Sequence, residues 1–377
     1  GTWTIVSGPA GATIDNAGSA TTSITNLAVG THVFRWTVNN GPCVPPTSSD
    51  EVTIRVFDRN APVAQAGPNV QLCTPTTSVT LAANAAVAPA TGTWSVVSGS
   101  GTFSTVNSPT ATVSGLGIGA NVFRWTINNG PCPGSTTSST VTITVFDAAT
   151  LAANAGPDQQ LCGAVSTTMA ASAVTAPATG TWSVVSGTAT FANVNSPTTA
   201  VSGLSIGTNV LRWSINNGAC GITSDQVTIL VFDPNNPVAA AGNDQQLCTP
   251  TTATTLSGSA LTLPATGVWT LVSGSGTIAS PTSPSTSVSG LAIGENVFRW
   301  TVNNGACPGA ITNDLVSVFV YDNTAAASNA GPDQEVCTPT NSVSMAGNTP
   351  AFPAIGQWTL IAGGGSIAQP NNPNTTI

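Results

Sequence analysis

The stretch FRWTINNGPC, Phe123–Cys132, decides how the sequence is interpreted, because it recurs along the chain. Related versions begin at three other positions: Phe34 (FRWTVNNGPC), Leu211 (LRWSINNGAC) and Phe298 (FRWTVNNGAC). Apolar Phe123, Trp125 and Ile127 alternate with polar neighbours, which is the pattern of a half-buried β-strand. The Asn-Asn-Gly that follows is a turn signal, since Asn and Gly tolerate positive φ. The chain therefore repeats one strand and turn four times.

Two further markers recur in phase with this one. GTWTIVSG returns in related forms, with glycines at Gly1, Gly92, Gly180, Gly267 and Gly356, in steps of 91, 88, 87 and 89 residues. AGPNVQLC and its variants begin at Ala66, Ala155, Ala241 and Ala330. A period near 90 residues is too long for a solenoid unit and fits a small domain that folds independently.

Within each repeat the segments are short, alternating and rich in Val, Ile and Thr, with no helical periodicity. In the second repeat they predict seven strands: Val70–Cys73, Val79–Ala83, Gly92–Val97, Gly101–Ser104, Thr110–Ser114, Asn121–Asn128 and Val141–Phe146. Seven short strands separated by turns indicate an immunoglobulin-like antiparallel β-sandwich. We therefore expect an all-β tandem array of such domains, joined by short linkers into an elongated rod.

The markers divide the chain into five units, numbered here from the N-terminus. Three complete units are expected at 66–147, 155–233 and 241–322. Residues 1–58 form a partial unit that lacks its first strands, and residues 329–377 form one that lacks its last strands. With no initiator Met and no signal peptide, the chain is expected to be a piece of a longer protein.

Composition excludes several classes of partner. Only 5% of the residues are charged, there is no Lys, and the net charge is −8. Nucleic acid and anionic membrane surfaces both require basic patches, so neither is expected. No apolar run approaches the roughly 18 residues of a membrane-spanning helix.

The markers AGPDQQLC and GTWSVVSG, the approach to NNG.C and the closing VTI.VFD together resemble a known family. They are similar to the PKD-like and Ig-like tandem repeats of Bacteroidota cell-surface proteins, which include gliding adhesins exported by type IX secretion. The resemblance implies an extracellular stalk or adhesin, and it implies no catalytic residue in these modules.

The eight cysteines lie at least 28 residues apart, which suits disulfides in an oxidising compartment better than a zinc site. They alternate between the first strand of a unit and the turn after NNG. We predict one bond within each complete unit, Cys73–Cys132, Cys162–Cys220 and Cys248–Cys307, with Cys43 and Cys337 pairing outside the chain. These two positions fall at opposite poles of a simple sandwich, so bonds between adjacent domains, such as Cys73–Cys220, are the alternative.

Alternation also assigns the tryptophans and arginines. Trp pairs are expected in each core: Trp3 with Trp36, Trp94 with Trp125, Trp182 with Trp213 and Trp269 with Trp300. On the opposite, outward face lies a row of arginines, Arg35, Arg124, Arg212 and Arg299. The expected role is a surface ion pair, with Asp58, Asp147, Asp233 and Asp322 as candidate partners, or a stack on a neighbouring strand. A row that binds an acidic ligand is the alternative.

No arrangement of residues predicts catalysis: there is no Ser-His-Asp set, phosphate loop or paired acid, and His32 has no equivalent in other units. Asp147, Asp233 and Asp322 are each followed, across the linker, by a second aspartate, Asp158, Asp244 and Asp333, whereas Asn69 follows Asp58. Two carboxylates are few for Ca²⁺, so backbone capping is favoured over a junctional calcium ion, and no cofactor is expected.

The sequence thus favours a non-catalytic stalk that spaces a binding region from the cell. Its expected partners are the neighbouring repeats. Two alternatives stay open: a repeat array that binds surface polysaccharide multivalently, and copies of the chain that pack laterally into a sheath or fibre.

Overall fold

The computed structural model describes residues 1–150 and 152–377. Throughout this part the regular secondary structure is β-strand, apart from one 3₁₀ turn at Gly218–Cys220. Paired β-sheets recur along the chain, and the prediction of a tandem array of β-sandwiches is confirmed.

The first unit has five strands: β1 (Thr2–Ser7), β2 (Thr13–Ile14), β3 (Ile24–Thr25), β4 (Gly30–Asn39) and β5 (Thr47–Val56). The second has seven: β6 (Val70–Cys73), β7 (Val79–Thr80), β8 (Thr91–Ser98), β9 (Thr102–Phe103), β10 (Thr112–Ser114), β11 (Gly119–Asn128) and β12 (Thr136–Phe146). The third repeats them: β13 (Gln159–Cys162), β14 (Thr167–Thr168), β15 (Thr179–Ser186), β16 (Thr190–Phe191), β17 (Ala200–Ser202), β18 (Gly207–Asn216) and β19 (Ile222–Phe232). So does the fourth: β20 (Gln245–Cys248), β21 (Thr254–Ser257), β22 (Thr266–Ser273), β23 (Thr277–Ile278), β24 (Ser285–Ser289), β25 (Gly294–Asn303) and β26 (Ile311–Tyr321).

Each complete unit combines a four-stranded and a three-stranded sheet, ordered β6-β12-β11-β8 and β7-β10-β9 in the second unit. One strand pair departs from the antiparallel expectation. The first strand, β6, runs parallel to the last, β12, with Val70 opposite Ile143 and Cys73 opposite Phe146. The end of the first strand therefore lies beside the end of the last strand, and the third and fourth units show the same pairing.

The seven strands predicted for the second unit are all present, but two bounds differ noticeably. The last strand begins at Thr136 rather than Val141. Its first half is rich in Ser and Thr and has no apolar alternation, so the sequence pattern does not predict it. The second strand ends at Thr80 instead of Ala83, although Leu81 and Ala83 still donate backbone hydrogen bonds to Ala111 and Pro109.

Tryptophans on neighbouring strands form the centre of each complete core. Trp94 lies directly opposite Trp125, with ring centroids 5.1 Å apart, and both side chains are almost fully buried. The Trp125 ring covers Gly92, where any Cβ would overlap it. This contact explains why a glycine stands two residues before Trp94. The third and fourth units repeat the pair at 5.1 and 5.0 Å.

The cores of the partial units are less completely buried. Trp3 and Trp36 contact each other at 5.2 Å but stay only partly buried, because the second sheet of the first unit consists of just β2 and β3. In the fifth unit the described backbone forms one isolated bridge, between Ser344 and Thr376.

A buried asparagine anchors the loop before the long strand of each complete unit. Asn121 Oδ1 accepts the Ser100 amide at 2.9 Å, and its Nδ2 donates to the Gly117 carbonyl at 2.8 Å. The first unit places His32 here, and its Nε2 lies 2.8 Å from the Ala28 oxygen. Pro9 occupies the position of Ser100 and has no N–H, so an asparagine oxygen would be buried without that donor.

We expect Asn121→Ala to destabilise the second unit by about 1–3 kcal/mol, because two partly buried backbone groups lose their hydrogen-bond partners. Hydrogen exchange resolved by peptide measures this, with the third and fourth units of the same molecule as internal references. Ser95→Ala, on the exposed face of β8, is the matched control. Equal protection in the two variants would contradict the anchoring role.

Candidate functional site at the junctions between units

In the second, third and fourth units, the second Asn of the Asn-Asn-Gly turn contacts the unit before it. Its Nδ2 donates to the main-chain oxygen of the Asp that ends that unit, over 2.6, 2.8 and 3.0 Å: Asn129 to Asp58, Asn217 to Asp147 and Asn304 to Asp233. The first Asn has the local role that a turn predicts, since Asn128 Oδ1 accepts the Gly130 amide at 3.0 Å. The first asparagine therefore stabilises the turn, and the second binds the preceding unit.

The glycine of the turn lies against an aromatic ring of the preceding unit. The contacts are Gly130 with Phe57, Gly218 with Phe146 and Gly305 with Phe232, and any Cβ would overlap the ring. These glycines also have positive φ, between 51° and 64°. Glycine is thus required here for backbone conformation and for close approach.

The predicted disulfides within units are wrong. The structure joins Cys73 of the second unit to Cys220 of the third, and Cys162 of the third to Cys307 of the fourth. Their Cα atoms lie 5.0 and 4.8 Å apart. The alternative, bonds between adjacent domains, is the arrangement found.

Sheet topology explains the error. Cys73 lies beside Phe146 at the end of β12, whereas Cys132 lies in the turn before β12 begins. The 11-residue strand between them spans about 33 Å. A disulfide requires Cα atoms within roughly 7 Å. Cys73 therefore cannot reach Cys132, and it is bonded to Cys220 in the turn of the next unit.

Within residues 1–150 and 152–377, four cysteines are not disulfide-bonded: Cys43, Cys132, Cys248 and Cys337. Cys132 occupies the position that Cys220 and Cys307 hold in the bonded junctions. It is partly buried, and the other three are exposed. Pairing of Cys43 and Cys337 outside this chain stays a prediction.

The aspartates at the junctions cap backbone amides. Asp147 Oδ1 accepts the Ala149 amide at 2.9 Å and so closes the turn that starts the linker. Asp158, its supposed calcium partner, instead accepts the Thr228 amide at 2.7 Å. At Asp322 the Thr324 hydroxyl, and then its amide, lower the pKa of the carboxyl group. Among the residues that the structure describes, no group of three His, Cys, Asp or Glu could hold a metal ion.

The expected Asp partners of the arginine row are wrong as well. Arg35 pairs with Glu51 on the neighbouring strand, at 2.6 Å, and both side chains are nearly half exposed. Opposite the other arginines lie different residues: Thr140 for Arg124, Gln226 for Arg212 and Leu315 for Arg299. The surroundings of the row therefore change from unit to unit.

Cavities along the chain enclose about 140 to 340 Å³, at or below the small end of ligand pockets. Two of them lie beside the disulfides, one at Cys73–Cys220 and one at Cys162–Cys307. In the part of the chain that the structure describes, no helix has the length and apolar character needed to cross a membrane.

Comparison with known proteins finds a family match for one unit of the chain. Residues 241–320 match the family model of the PKD domain of KIAA0319-like proteins. The rat protein named "Dyslexia-associated protein KIAA0319 homolog" is 34% identical over 79 residues, or 21% of this chain. The chain spans 7% of the length of that relative.

Among solved structures, similarity covers single domains and arrays. A PKD domain of human KIAA0319 is 21% identical, with 26% of this chain and 87% of that chain covered and a TM-score of 0.20. An I-band fragment of titin is 15% identical, with 69% and 98% covered and a TM-score of 0.32. An eight-domain Ig segment of the Down Syndrome Cell Adhesion Molecule is 9% identical, with 85% and 45% covered and a TM-score of 0.35.

We expect Gly305→Ala to separate the third and fourth units, because the new methyl group would overlap the Phe232 ring. The Cys162–Cys307 bond should then be reduced faster by a soluble dithiol, as followed by alkylation and mass spectrometry. Gly309→Ala is the matched control, since Gly309 has φ of +66° but nothing within 4 Å of the place that a Cβ would take. Equal reduction rates in the two variants would show that the ring contact does not hold the junction.

Proposed function

We propose that this chain is a non-catalytic stalk segment of a large cell-surface adhesin. One observation carries the proposal: the same hydrogen bond and the same glycine–ring contact recur at three successive junctions. A module that binds a ligand needs a site on each unit, whereas a spacer needs a fixed contact between units. The repeated chemistry of this chain lies between the units.

The junctions suit a spacer physically. Each combines a hydrogen bond from an asparagine that is at least nine-tenths buried with a close aromatic contact, and two add a disulfide. These contacts restrict bending at linkers that would otherwise be flexible. With strands of about 10 residues, each unit adds roughly 30–40 Å of length.

The resemblance to Bacteroidota surface repeats supports an extracellular location and an adhesin as the parent protein. Two disulfides support an oxidising compartment independently. The match of one unit to a PKD domain agrees with an extracellular-type module. A binding region elsewhere in the parent protein would then contact the target, and this segment would set its distance from the cell.

The lateral-fibre alternative is less well supported, because the edge of the large sheet is protected. The Trp94 amide on the edge strand β8 donates to the Val106 oxygen at 2.7 Å, which blocks pairing by another strand. A β-bulge interrupts the same strand between Val96 and Ser98. Covered and bulged edge strands disfavour edge-to-edge pairing with the sheet of another molecule. The first, third and fourth units repeat both features.

Small-angle scattering of the purified chain tests the stalk. We expect a monomer at every concentration with a radius of gyration of about 40 Å, as for a rod of four units, against about 21 Å for a compact protein of this length. A triple variant, Asn129→Ala, Asn217→Ala and Asn304→Ala, should give a broader distribution of lengths. A compact monomer, or particles that grow with concentration, would contradict the proposal.

The polysaccharide alternative has its own readout. If the protein bound immobilised acidic polysaccharide and the double variant Arg124→Ala with Arg299→Ala did not, the result would favour a binding array. For a stalk, we expect neither the unmodified protein nor the double variant to be retained on the polysaccharide.

A further inference from the structure

The two disulfides are interlocked along the sequence. Cys162 lies inside the segment closed by Cys73–Cys220, and Cys220 lies inside the segment closed by Cys162–Cys307. The bonded cysteines are separated by 147 and 145 residues. Together the two bonds join three successive units into one covalent network.

This network offers a shorter covalent route through the chain. From Gly1 the route follows the main chain to Cys73, crosses to Cys220, runs back to Cys162 and crosses to Cys307. It then continues to Ile377. It leaves out residues 74–161 and 221–306, which together are nearly half of the 377 residues.

We infer that the interlocked disulfides are tethers that limit how far the stalk lengthens when its units unfold under tension. The inference rests on the proposed stalk function, because only a load-bearing segment experiences such tension. Residues 74–161 and 221–306 can unfold, but the load then passes through the sulfur bridges and not through these residues. At about 3.6 Å for each extended residue, roughly 630 Å of lengthening is withheld.

Interlocking makes the tethers redundant. If only Cys162–Cys307 remains, the shortest route regains residues 74–161 but loses the return segment 163–220. If only Cys73–Cys220 remains, it regains residues 221–306 and loses segment 162–219. Loss of either bond therefore lengthens the taut chain by only roughly 100–110 Å, whereas loss of both lengthens it by roughly 630 Å. Independent loops would instead give additive increments.

Single-molecule force spectroscopy tests the tethers on the full chain, attached through handles at its two ends. We expect a fully stretched length of roughly 730 Å when oxidised and roughly 1,360 Å after reduction with a phosphine. The pair Cys73→Ser with Cys220→Ser should add about 110 Å, and Cys162→Ser with Cys307→Ser about 100 Å. All four substitutions together should reproduce the reduced length without a phosphine.

Cys132→Ser is the matched control, because Cys132 occupies the same turn position but is not bonded. It should leave the oxidised length unchanged. Bonds within units would give nearly the same oxidised length, but Cys132→Ser would then add roughly 210 Å. That result, or an oxidised chain that stretches to its reduced length, would overturn the inference. Failure of the tethers leaves the scattering profile of a stalk unchanged, so the two proposals fail separately.

Discussion

The structure depends on one contact, repeated at three junctions: the Asn-Gly turn of the second, third or fourth unit packs on the Phe-Asp end of the unit before it. The Asn217 side chain and the Phe146 ring fix where the third unit sits on the second. That position brings Cys73 and Cys220 together, with Cα atoms 5.0 Å apart. The covalent link therefore follows from a non-covalent fit, and each takes one of its two partners from the turn that the sequence repeats.

The stretch FRWTINNGPC has two structural roles, first in the core of its own unit and then at the junction with the preceding unit. Phe123, Trp125 and Ile127 fill the core of their own unit, each exposed by 2% or less. After Asn128 closes the turn, Asn129 and Gly130 serve the junction with the preceding unit. The boundary between domain and interface thus falls within a single turn. Arg124 contributes to neither, and it lies opposite a threonine on the next strand.

The sequence is sufficient to predict the features that depend on contacts within one unit. Alternation places the strands and the paired tryptophans, and the period places the repeats, because both reflect contacts that each unit makes within itself. The junction could not be predicted in the same way. Asn129 and Asp58 are 71 residues apart, and no periodicity marks their contact. Disulfide pairing depended on whether the first strand runs beside the last, since either set of pairs satisfies the cysteine spacing. The partial exposure of Trp3 reflects a smaller second sheet, as follows from a unit that lacks its first strands.

Tryptic digestion of the unreduced, alkylated protein tests the junction most directly, because the arginines separate the cysteines. Cleavage after Arg59, Arg124, Arg212 and Arg299 yields four peptides with bonded cysteines: 60–124, 125–212, 213–299 and 300–377. Bonds between units predict two separate pairs by mass spectrometry, 60–124 with 213–299 and 125–212 with 300–377. A single assembly of all four peptides, as bonds within units would produce, would contradict the account.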